Sequence, residues 1–181
     1  MEDRKTPEQV SSLRALAHPV RLQMLSLLTG AEMSASEVAR ELGISHANAS
    51  YHLRVLAASG QLVDAGEEKI RGGVAKKYRH PWQEAGSTRD PTVTDQDREL
   101  FIRATAEELV RRYAHHRKRG RSWLTDAEMW VDPEVWREVV GLVERASRLI
   151  HAEAKPPRSE GAVHVNMTAS LFEMDAREEH G

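Results

Sequence analysis

The sequence predicts a mainly α chain with a smaller β component (α+β), in which a helical unit closed by a β-hairpin precedes a second helix-rich module. Three observations point to this. Apolar residues recur at helical spacing over 11–28, 35–42, 46–59, 95–119 and 133–154. A polar, glycine-rich stretch at 66–75 separates two short strand-like runs, Gln61 to Ala65 and Lys76 to His80. Over Ala162 to Met174, Val163, Val165, Met167, Ala169 and Leu171 alternate with polar residues, the period of a strand.

In chain order, the first helical stripe uses Leu13, Leu16, Ala17, Val20, Leu22, Leu25, Leu27 and Leu28. It should break at His18-Pro19, because proline disfavours helical geometry in the residue before it, and end at Thr29-Gly30. Ser34 and Glu37 form a capping box opening a short helix, Ala35 to Leu42, that buries Val38, Ala39 and Leu42. Gly43 makes the turn, Ile44 plugs it, and Ser45 caps a helix from His46 to about Ser59, with Gly60 at the left-handed stop. Ala49, Leu53, Leu56 and Ala57 are its inner face. The hairpin follows, its tip spanning 66–75. Residues 81–93, with Pro81, Gly86, Ser87 and Pro91, read as a linker between a unit at 1–80 and a module at 94–181.

Thr94 caps the next helix, Asp95 to Arg119, whose stripe is Leu100, Phe101, Ile102, Ala106, Leu109, Val110 and Tyr113. Ser122 to Val131 is open between strand and turn. Pro133 suits the first turn of a helix reaching Ala154. Pairing of 122–131 with 162–174 beside that helix would complete a small α+β module. All four tryptophans, Trp82, Trp123, Trp130 and Trp136, lie beyond residue 81, and such a cluster suits a core or dimer interface better than a ligand pocket.

The 181 residues carry a net charge of −2, which does not advertise an anionic partner, but the charge is unevenly spread. Residues 45–80 hold six Lys and Arg against three Asp and Glu, and phosphate binding needs only such a local excess. The run from Arg111 to Arg121 holds six further bases, read as solvated cations complementing a helix C-terminus. With no cysteine there are no disulfides and no thiolate ligands, in keeping with the cytoplasm. No apolar run approaches the ~20 residues a membrane span needs, and the start Met1-Glu2-Asp3-Arg4 does not read as a signal peptide.

A short supporting helix, a tight turn, a capped helix and a hairpin, in that order, describe a winged helix-turn-helix. The arrangement presents the outer N-terminal residues of the second helix to a major groove, where all four base pairs are distinguishable. The residues also resemble a known family. Leu16-Ala17-His18-Pro19-Val20-Arg21-Leu22, Ser36-Glu37-Val38-Ala39, Ile44 through Leu56 and Ser59-Gly60-Gln61-Leu62-Val63 look like the ArsR family of bacterial regulators, over about residues 12–80. That resemblance implies a homodimeric cytoplasmic repressor binding a palindromic double-stranded operator and often released by a ligand.

Carried over by position, the resemblance implies base-edge contacts from His46, Ala47, Asn48, Ser50, Tyr51 and Arg54. Asn48 can pair bidentately with adenine, and Arg54 suits guanine or a phosphate. Ser45, Ser50 and His52 are backbone or phosphate contacts, and Lys69, Arg71, Lys76, Lys77 and Arg79 are the wing's phosphate or minor-groove contacts. One departure matters: metal-sensing relatives place cysteines on the supporting helix, and Met33–Leu42 has none. The nine histidines show no metal spacing either, so no metal, cofactor or catalytic residue is assigned. Any small-molecule effector is expected in the C-terminal module. A protein–protein adaptor is the competing reading; an enzyme built on a winged-helix dimerisation domain finds no nucleophile turn or cofactor loop.

Overall fold

Local signals in the chain set where its helices start and stop. In the computed structural model, which describes residues 12–70, 73–82 and 92–175, helix α1 (Ser12–Leu16) stops short of His18-Pro19 and α2 (Pro19–Gly30) starts at the proline. The His18 side chain caps α2, its Nδ1 accepting from the Val20 amide at 3.2 Å. A two-residue strand β1 (Met33–Ser34) leads into α3 (Ala35–Leu42), opened by the reciprocal Ser34/Glu37 capping box and closed by Gly43 in the left-handed region at φ 65°. Ser45 then caps α4 (His46–Ala58), and the chain leaves it through Gly60 at φ 74°.

The core lies under these helices. Met24 and Leu28 of α2, Val38 and Ala39 of α3, and Ala49, Leu53 and Leu56 of α4 close on one another, with Met33 and Leu62 at the edges. Leu42, expected inside, is half-buried against this cluster. Strands β2 (Val63–Ile70) and β3 (Gly73–Arg79) form an antiparallel hairpin, and β1 pairs with the free side of β3, giving the order β1-β3-β2. The hairpin corrects the expected 66–75 loop, most of which is strand. Cross-strand ion pairs Lys76–Asp64 at 2.8 Å and Lys77–Glu68 at 3.0 Å hold the arms together, and an irregularity between Asp64 and Glu67 is absorbed by Gly66 at φ 99°. Strand β1 was not expected from sequence; two residues are too few to show a period.

Helix α5 (Asp95–Tyr113) packs on α1 and α2, and here the expected apolar stripe is overturned. Its buried residues are Asp97, Ala104 and Glu108, whereas Leu100, Ile102, Leu109, Val110 and Tyr113 are exposed. Asp97 completes the capping box with Thr94 and meets Arg14 at 3.4 Å. Glu108, 1% exposed, accepts from Gln23 of α2 at 2.7 Å and from Arg111 and Arg112 of its own helix. Burial pushes the Glu108 carboxyl up, but the hydrogen bonds from Arg111 and Gln23 and the adjacent guanidinium charges outweigh it and leave it below its usual range. These polar anchors choose the face of α5 that docks. The helix also ends at Tyr113, six residues before the expected Arg119, as consecutive cations and Gly120 follow.

Helix α6 (Pro133–Ala152) forms as expected but has no fully buried residue. The flanking 122–131 and 162–174 contain no strand, so the expected pairing between them is absent. A period-2 pattern becomes a strand only where its amides and carbonyls find an edge, and among the described residues these segments meet none. Trp123 and Trp130 are 87% and 89% exposed, so the tryptophans do not form a core. No helix among the described residues is long and apolar enough to cross a membrane.

Candidate nucleic-acid interface

The N-terminal turn of α4 stands clear of the rest of the protein. Ser45 directs its hydroxyl oxygen at the Asn48 amide, 3.2 Å away, which fixes where the helix begins. The following His46, Ala47 and Asn48 are all exposed, as are Tyr51 and Arg54 one and two turns on, with Ser50 half-buried between them. Arg54 donates its Nε to the Ser50 carbonyl at 3.2 Å, which lays the guanidinium along the helix. Amide donors at a helix N-terminus, an amide side chain, a hydroxyl and a guanidinium thus share one surface, the donor and acceptor types that read base edges and phosphates.

His52 does not belong to that surface, against the sequence expectation. It is 6% exposed and turned inward, its ring centroid 4.6 Å from that of His18. The helical spacing from Ala49 through His52 to Leu56 is the signal that could have placed it on the inner face. Burial lowers the pKa of both imidazoles, and Arg21 beside them lowers each further; His52 is also lowered by His18. Arg21 is itself anchored, donating to the Ala15 carbonyl at the end of α1. A neutral histidine pair under a fixed guanidinium therefore sets the seat of α4 on α2.

The wing cations divide between two faces. Successive side chains of β3 point to opposite sides, so Lys76 and Tyr78 share one face while Lys77 and Arg79 share the other. Lys76 lies 5.6 Å from the centre of the Tyr78 ring and pairs with Asp64; Lys77 pairs with Glu68. These partners hold both ammonium groups above their ordinary pKa, chiefly through the hydrogen bonds that Lys76 and Lys77 donate to the Asp64 and Glu68 carboxylates. Lys77 and Arg79 border a cleft beside the C-terminal end of α2. Lys69 is exposed near the end of β2, and Arg71 lies outside the described residues. No group of three or more metal-ligating side chains occurs among the described residues.

Residues 16–64 match the family model of a helix-turn-helix domain, a span that begins in α1 and ends in β2. Together with the hairpin, this defines the N-terminal part as a winged helix-turn-helix unit followed by a helical region. Among solved structures the chain is similar to the crystal structure of a possible transcriptional regulatory protein (fragment 1-100) from Mycobacterium bovis. The two are 26% identical over 60% of this chain and 92% of that one, with a TM-score of 0.33, a superposition too loose to bear on function. No curated protein matches the chain.

Proposed function

We propose that the protein is a sequence-specific DNA-binding transcription regulator of the repressor type that acts as a homodimer on a palindromic operator. The observation that carries this is the exposed N-terminal face of α4, with His46, Asn48, Tyr51 and Arg54 displayed on a helix seated by α3 within a matched helix-turn-helix domain. The resemblance to the ArsR family over residues 12–80 supports the repressor assignment. The apolar residues that α5, α6 and their flanking segments leave exposed support a second copy as their cover, because a chain working alone would hold that surface in water. Since the regulator must reach the chromosome, the reading places it in the cytoplasm.

Fluorescence anisotropy on fragments of the chain's own upstream region tests this reading. Affinity should fall steeply with salt, since each neutralised phosphate adds about −0.9 to the logarithmic slope. The double variant Asn48→Ala/Arg54→Ala should bind a specific fragment at least about tenfold more weakly, with far less change on random DNA. Binding that ignores both salt and these substitutions would sink the proposal.

A further inference from the structure

A cleft of about 480 Å³ lies where the end of α2, the base of the wing and the loop after α6 meet. Its size is that of a small-molecule site. Three flat apolar groups line one part of it: Trp82, Pro81 and Pro156. The side chain of Trp82 is set by His151 of α6, the two rings 5.5 Å apart and tilted at 42°. Lys77, Arg79 and His80, from the end of the wing, supply the polar part. Burial keeps the His80 pKa below its ordinary value despite the hydrogen bond between its Nδ1 and the Gln61 carbonyl, so the positive charge at neutral pH comes from Lys77 and Arg79. Glu32 is the acid among the lining residues, and the cations outnumber it.

The loop after α6 is seated closely against the wing-bearing unit. A Cβ on Gly30 would lie 2.5 Å from the Lys155 carbonyl oxygen, so glycine is what lets the loop approach the end of α2. Two residues beyond Pro156, Arg158 meets Glu41 of α3 at 2.7 Å. The cleft is therefore bounded on one side by the element that carries the wing and on the other by the element that leads out of α6.

We propose that this cleft binds a small aromatic carboxylate, its ring against Trp82 and the prolines and its carboxylate on Lys77 and Arg79. Lys77 is the group through which occupancy is felt, since it reaches Glu68 on the neighbouring strand at 3.0 Å. A bound carboxylate competes with Glu68 for that ammonium, loosening the cross-strand tie and cancelling wing charge. This coupling, which rests on the DNA-binding reading above, makes the ligand weaken DNA affinity, and linkage then requires DNA to weaken ligand affinity equally.

Calorimetry on the full chain without DNA, with benzoate and indole-3-acetate as probes and benzyl alcohol as the neutral control, tests the site alone. Saturable binding of at least one acid with Kd of about 1 mM or tighter is expected, with benzyl alcohol at least about tenfold weaker. Trp82→Ala should lose at least about tenfold in affinity and Trp82→Phe should keep most of it, which separates loss of the ring from loss of the fold. Lys77→Gln should weaken the acids without changing the response to benzyl alcohol. Failure of both acids to saturate, equal binding of benzyl alcohol, or unchanged affinity in Trp82→Ala would overturn the site. Because these titrations contain no DNA, they stand whether or not the chain binds an operator. An acid that saturates the site yet leaves the anisotropy of a bound fragment unchanged would overturn the coupling.

Discussion

The two halves of the molecule use their apolar residues in opposite ways. In helices α2, α3 and α4 of the winged helix-turn-helix unit the large aliphatic side chains turn inward: Met24, Leu28, Val38, Leu53 and Leu56 are all fully buried in one cluster, whereas the wing leaves Ile70 and Val74 exposed. Beyond the wing, α5 docks through Asp97 and Glu108 while Leu109, Val110 and Tyr113 stay outside, and α6 buries no residue fully. The first half closes its core within one chain. The second leaves an apolar surface that the described residues do not cover. The proposed function divides in the same way: the closed half presents the polar face of α4, and the exposed apolar area of α5 and α6 is what the proposed homodimer would cover.

The largest effect should come from breaking the closed half. Leu53→Ala removes a fully buried side chain between α4 and its supports and should cost about 2–5 kcal/mol in thermal or denaturant unfolding. Leu149→Ala, at a position 67% exposed, should change unfolding of the monomer by less than about 0.5 kcal/mol yet weaken self-association measured by sedimentation. Equal destabilisation by the two would erase the contrast.

A smaller effect should follow from the polar seam that joins the halves. Glu108→Ala deletes the acceptor for Gln23, Arg111 and Arg112, and its partners are partly in water, so the expected loss is about 1–3 kcal/mol. Hydrogen exchange should locate the loosening at α5 and leave the α3 and α4 amides protected. Protection lost uniformly across the chain would mean the seam is not a boundary.

The smallest effect concerns pH. His18, His52 and His80 have pKa values below the ordinary one, so the unfolded chain binds more protons than the folded chain over that range. Their stabilising contribution is full above about pH 6.5 and is lost as pH falls through the depressed folded values. The melting temperature should therefore drop between about pH 7 and about pH 5, before the carboxylates titrate. The double variant His18→Asn/His52→Gln should show a shallower decline, and an unchanged slope would remove the buried pair from the account.

What could be read from sequence follows the range of the interactions involved. The Ser34/Glu37 box, the Ser45 cap and the glycines at 43 and 60 act within a few residues, and they placed α3 and α4 almost to the residue. The reach of the wing strands depends on Asp64–Lys76 and Glu68–Lys77 pairs across the hairpin, which a window along one strand does not contain. The docked face of α5 depends on Gln23 and Arg14, more than eighty residues away, so a hydrophobic stripe pointed to the wrong side. The alternation at 162–174 is real in sequence but needs a strand edge, and it meets none among the described residues. The exposure of His46, Ala47, Asn48, Tyr51 and Arg54 was legible because they lie on one face of one helix; the cleft around Trp82 was not, since α2, the wing and the loop after α6 each supply part of it.

The most direct test of a reading half joined to an associating half is hydroxyl-radical footprinting of the full chain on its own upstream DNA. A dimer with one exposed α4 per copy predicts two protected half-sites with centres about 34 Å apart, related by a palindrome. Cleavage that stays uniform, or a single protected half-site at saturating protein, would contradict it.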